Sequence, residues 1–253
     1  MIWPLFRYIL MAAVRDRLVL SVIAIIAVVT SLSYFFGASV VTEQDDFART
    51  FGAFGFRLFG VAALSLFVVT FVRRSFESRD VDYLLSRPIG RTAFVLTHAA
   101  AFSTIAFLLS LILGGIGIYS WGGISHGGIA LWWASIALEF MIVANVAMFF
   151  SFIIASPTAS MLAVFAFYLL SRLMGEILGI LQAETQTGLM KMLSKIMEFI
   201  SIVIPRLDMA GRTEWILYGM PAEFPYAWVL GQAAAVLCLV IVATVIDMRR
   251  RQF

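Results

Sequence analysis

The chain has a single cysteine, Cys238, two histidines and two lysines among its 253 residues. Each scarcity excludes something. One cysteine in an apolar run builds no disulfide framework and no cysteine-based metal site. The histidines, His98 and His126, are far apart, and neither has a partner at ligand spacing, so neither is expected to be catalytic or metal-binding. Lys191 and Lys195 do not follow glycine, so a G-x-x-x-x-G-K-[ST] phosphate loop is absent. No H-E-x-x-H pattern occurs either, and an enzyme active in this chain is not expected. Charge is also scarce: 13% of residues are ionisable, about half the share of an average soluble domain.

What fills the chain is apolar. Hydrophobic residues make up 62%, and mean hydropathy is +0.99. A soluble domain of this length could not cover that much apolar surface. An all-α polytopic membrane protein follows, because in lipid every backbone polar group must be satisfied within the segment. Six apolar runs of spanning length are present, at 18–41, 51–72, 94–119, 129–154, 159–181 and 226–246. They form a single transmembrane domain. Polar loops are expected at 42–50 and 121–128. Residues 1–17 mix apolar residues with Arg7, Arg15 and Arg17, which suits a short interfacial amphipathic helix.

Lysine and arginine set the expected orientation. The flanks at 1–17, 73–93, 155–158 and 247–253 hold eleven of them, against five on the opposite side. Both termini are therefore expected in the cytoplasm and the protein in the plasma (inner) membrane. Between spans five and six, Lys191, Ser194, Lys195, Glu198 and Ser201 recur at spacings of three and four. That stripe reads as an interfacial helix on the outer face, or a re-entrant element closing a pathway, stopped by Pro205. Trp215, Tyr218, Tyr226 and Trp228 suit an aromatic belt.

Of 33 charged residues, four fall within apolar runs: Arg57, Glu139, Arg172 and Glu176. Each is expensive in lipid and needs protein, water or a partner charge. Arg57 is close enough to the end of its run to snorkel. Glu139 falls near mid-membrane. Arg172 and Glu176 are four apart and are expected to pair on one helix face. These charges fix packing or line a polar path. Asn145 suits a hydrogen bond between helices.

Eight charged residues crowd into 73–91, alternating in sign around Val81, Leu84 and Leu85, with Pro88 as a helix stop. Such a segment can dock into a groove on a soluble partner. Glu77, Leu84, Leu85, Pro88 and Arg91 stand in the order found after the second span of ABC-2 type transporter permeases, and the chain resembles that family. Pro205, Asp208, Trp215, Tyr218 and Gly219 are similar to the Pro-x-x-Asp and Tyr-Gly stretch many of these permeases carry before the last span. Asp80-Val81-Asp82 and His98 depart from the family pattern.

The resemblance implies a permease subunit of an ATP-binding cassette exporter that pairs with a second permease subunit, identical or related. A separate cytoplasmic ATPase would bind ATP and Mg, with no cofactor in this chain. Residues 76–88, with Asp80 and Val81 among them, would be the coupling helix. The alternatives are a secondary transporter or channel using the intramembrane charges, and a non-transporting membrane scaffold.

Overall fold

The computed structural model describes residues 2–16, 18–41, 43–78, 90–120, 126–183, 188–219 and 226–250, and these contain helices and no strand. In chain order the helices are α1 (Ile2–Arg15), α2 (Leu18–Ala38), α3 (Gln44–Glu77), α4 (Arg91–Ser120), α5 (His126–Ile153), α6 (Pro157–Ala183), α7 (Gly188–Val203), α8 (Leu207–Ala210), α9 (Glu214–Tyr218) and α10 (Tyr226–Arg250). Among them, α2, α3, α4, α5, α6 and α10 are long and apolar enough to cross a membrane. This is a multi-pass, all-α membrane protein.

Several helices extend beyond the apolar runs. α3 has 34 residues, roughly 51 Å at 1.5 Å per residue, against a hydrocarbon layer of about 30 Å. Residues 44–50, expected as a loop, form its first turns. They contain no proline or glycine, and Asp45 and Asp46 complement the helix N-terminus. Ser33 on α2 also donates to the Ala48 carbonyl, which fastens this extension to its neighbour. Likewise His126, Gly127 and Gly128 open α5 rather than lying in a loop.

α3 and α5 form the centre. Their most apolar windows are 67% and 72% buried, against 22% for α2 and 28% for α6 and α10. α2 packs on α3, α4 on α5, α6 against both central helices, and α10 against α5 and α4. Small residues allow the close approach that packing in lipid depends on. A Cβ added at Gly60 of α3 would lie 2.4 Å from the Phe140 ring of α5.

α1 and the last turn of α10 lie at one end of the bundle, called the terminal end below. There α1 buries Leu5, Ile9 and Ala13, one stripe at every fourth residue, against the spans. Arg74 pairs with Asp16 at 2.7 Å. Arg91 donates to the Arg249 carbonyl at 3.1 Å, and Arg249 donates to the Thr92 hydroxyl at 3.0 Å. The end of α1 is thus tied to α3 and α4 to α10, and packing of α1 on α4 connects the two ties. At the opposite, distal end, α7 to α9 form a cap. Gln232 of α10 holds the cap by bonding the Ser201 carbonyl at 2.8 Å and the Arg206 amide at 3.2 Å.

Candidate functional site: a polar column and its distal mouth

One stripe of α5 receives an arginine. Trp132, Ser135 and Glu139 are three and four residues apart, so they share a face. Arg57 of α3 points at that face. Its Nη1 donates to Glu139 and its Nη2 donates to the Ser135 hydroxyl at 2.6 Å. Ser135 in turn donates to the Trp132 carbonyl at 2.6 Å. The guanidinium carbon stands 5.8 Å from the Trp132 ring centroid, within cation–π range.

Arg57 and Glu139 are each 1% exposed. Glu139 is roughly 20 Å from either end of α5, so the pair sits at mid-bundle. Arg57 therefore does not snorkel. Its side chain turns inward, because the apolar environment rewards meeting the buried carboxylate. One carboxylate oxygen of Glu139 and Nε of Arg57 are buried without a hydrogen-bond partner among the described residues.

The expected Arg172–Glu176 pair does not form. Arg172 instead donates to two backbone carbonyls of the distal cap, Leu207 at 3.2 Å and Gly211 at 2.7 Å. Those carbonyls flank the single turn of α8, Leu207 opening it and Gly211 following it, and a carbonyl oxygen's second lone pair can accept from the guanidinium. The local competitor, Glu176, is exposed and remains solvated.

The fit around Arg172 depends on two glycines. A Cβ at Gly211 would lie 1.6 Å from its Nη1, and one at Gly175 would lie 2.2 Å from Asp208 Oδ2. Asp208 is held by Arg206 at 3.0 Å. On α5, a Cβ at Gly128 would lie 2.0 Å from the Trp215 carbonyl, so α9 also sits directly on the bundle.

Together these residues enclose a cavity of about 650 Å³ at the distal end. It is lined by Thr50, Arg172, Gly175, Glu176, Arg206, Asp208, Gly211, Arg212, Thr213, Glu214 and Leu217. Arg172 lies on the wall of this cavity, on the helix that also carries the buried Tyr168. Tyr168, one turn earlier on α6 and buried, interacts with Glu139, Arg57 and Arg172. The distal mouth, Arg172, Tyr168 and the Arg57–Glu139 pair are thus polar groups ranged from the distal end to mid-bundle, termed the polar column below.

The other sequence-selected residues lie apart from this column. Asn145 of α5 donates to the Ser103 hydroxyl of α4 at 2.9 Å and to the Met141 carbonyl at 2.8 Å. His98 is buried among Phe94, Phe71, Phe102 and Phe152, its Nδ1 bonded to the Phe94 carbonyl at 2.9 Å. Glu77 ends α3 and Arg91 begins α4. Asp80, Val81, Leu84, Leu85 and Pro88 lie outside the described residues.

The letters Gly123-Ile124-Ser125-His126-Gly127 satisfy the G-x-S-x-G spacing of a nucleophile elbow. That motif works through a strand-to-helix turn. His126 here opens a helix, residues 123–125 lie outside the described residues, and no strand is present among the described residues. Among the described residues, no group of three or more His, Cys, Asp or Glu gathers to hold a metal.

The central pair was hard to find locally because its partners are 82 residues apart. The signal was the Trp132-x-x-Ser135-x-x-x-Glu139 stripe, which offers an acceptor and a carboxylate on one face of an apolar helix. No protein-family model and no curated protein matches the chain.

Proposed function

We propose that this protein is the membrane-spanning permease subunit of an ATP-binding cassette transporter, moving its substrate with ATP hydrolysed by a separate subunit. The observation that carries the reading is the tie at the terminal end. Residues 79–89 connect α3 to α4, and both of those ends are fastened to neighbours: α3 to α1 through Arg74–Asp16, and α4 to α10 through Arg91 and Arg249. A push on the connecting segment would move four helix ends as a unit rather than bend one loop. In this reading Glu77, Asp80, Val81, Leu84, Leu85, Pro88 and Arg91 take up the motion of a cytoplasmic ATPase. The central helix α3 carries it toward Arg57.

The lack of a phosphate loop agrees with ATP and Mg being held in the partner. A second permease subunit would complete the path. The weakly buried faces of α2, α6 and α10 are surfaces where lipid or that subunit could lie. The test is copurification with the ATPase encoded beside this gene, followed by ATPase assays with and without the permease in proteoliposomes.

The polar column favours one other reading, a transporter working alone through Arg57 and Glu139. It requires proton- or sodium-driven flux in liposomes that contain this chain only, so the same preparation separates the two.

A further inference from the structure

The terminal end carries a second cavity, separate from the polar column. It measures about 750 Å³ and lies where α1 diverges from α3. Two contacts frame it. The Tyr8 and Phe71 rings meet with centroids 6.1 Å apart, and Arg74 holds Asp16 at 2.7 Å. The floor between them is apolar, from Leu10, Met11 and Val14 of α1 and Phe71 of α3. Met11 is 63% and Val14 70% exposed, although α1 buries its opposite stripe well.

The rim is basic. Arg15 is exposed and makes no ion pair among the described residues, and the Arg74 side chain is 64% exposed. The carboxylate on the rim, Asp16, is already paired with Arg74, which leaves a net positive edge above an apolar floor. The groove also lies where the apolar run of α3 gives way to Arg73 and Arg74, the level at which lipid headgroups are expected. The arginine excess assigns this end to the side where anionic lipids concentrate.

We infer that this groove binds one anionic glycerophospholipid. Its phosphate lies between Arg15 and Arg74, and an acyl chain runs along Met11, Val14 and Phe71. The charge decides against the other occupants. A choline headgroup brings a cation to a rim that is already positive, and a second copy of this chain would set two such rims against each other. Neither free phosphate nor a soluble anion covers the floor.

The experiment is native mass spectrometry of the full chain in detergent. Phosphatidylglycerol and phosphatidylcholine with the same acyl chains are titrated in, with inorganic phosphate as competitor. Wild type retains phosphatidylglycerol preferentially. Arg15→Gln weakens that retention about fivefold, the contribution of one arginine near an anionic headgroup. Arg15→Lys keeps most of it, and Met11→Asp lowers retention of both lipids.

Arg15 is a surface residue, and thermal melting without lipid checks that Arg15→Gln remains folded. If it does not, the wild-type preference between the two lipids decides alone. Equal retention of both lipids by wild type, unchanged retention in folded Arg15→Gln, or displacement of the lipid by phosphate overturns the inference. Lipid retention needs neither an ATPase nor a transported substrate, so its outcome is independent of the transport reading.

Discussion

Arg57 on α3 and Glu139 on α5 pair at the centre of the bundle, each 1% exposed and 82 residues apart in the chain. An arginine or carboxylate alone at that depth costs about 2.5–3.5 kcal/mol by insertion measurements. Meeting there offsets the cost and pins the two most buried spans to each other. The pair thus has a packing role whatever else it does, and separating that role from a transport role requires removing both charges.

Removing one charge strands the other. Arg57→Met or Glu139→Leu alone should lower stability by about 3–5 kcal/mol, the cost of breaking a buried pair. The double variant Arg57→Met/Glu139→Leu should recover most of that loss. Thermal melting of the three variants in the same detergent measures it. A double variant that melts like wild type yet no longer transports would show that the column serves the path. One that transports normally would reduce the pair to packing.

Gly211 admits the Arg172 guanidinium because it has no side chain. Gly211→Ala should force Arg172 off the Leu207 and Gly211 carbonyls and loosen the distal cap. Hydrogen exchange read by mass spectrometry should speed up across 205–219 while the centre of α3 stays protected. Unchanged exchange in the cap would mean that Arg172 is not what holds it. Loss of two charge-assisted bonds costs about 1.5–3 kcal/mol each if neither is replaced by water. The effect should approach the lower figure, because the mouth is open.

Asn145 is a control for the polar column. Its bond to Ser103 joins α4 to α5 away from Arg57. Asn145→Leu should cost about 0.6 kcal/mol, the mean for hydrogen bonds between membrane helices. Transport should persist. A large loss of transport with unchanged melting would place Asn145 in the path and redraw the column.

At the terminal end, Arg249 contacts Thr92 and Arg91 in an exposed setting. Arg249→Ala should therefore change stability by less than about 1 kcal/mol. If the four tied helix ends move as a unit, the same change should uncouple ATP hydrolysis from transport. The ratio of ATP hydrolysed to substrate moved, measured in proteoliposomes, should rise.

The spans were legible because apolar runs of this length have one stable solution in lipid. α7 was legible for another reason: Lys191, Lys195 and Glu198 mark a single polar stripe. The helix extension at 44–50 was not, since charge inside an apolar pattern looks like a loop even when the helix simply continues into water. Local spacing also misled at Arg172. A neighbour four residues away offers a pairing, but Arg172 bonds instead to the Leu207 and Gly211 carbonyls on either side of the α8 turn, 35 and 39 residues on. Arg57 and Glu139 were singled out individually by their cost in lipid. Their partnership depends on how α3 packs on α5, which no window of sequence contains.

In the proposed function, a separate ATPase drives the chain through the segment between α3 and α4. The most direct measurement is the ATPase activity of the copurified complex, comparing wild type with Glu77→Ala/Leu84→Glu. The account predicts that the double variant either fails to copurify with the ATPase or loses the permease-stimulated part of its activity, while melting close to wild type. Unchanged copurification together with unchanged stimulation would contradict it.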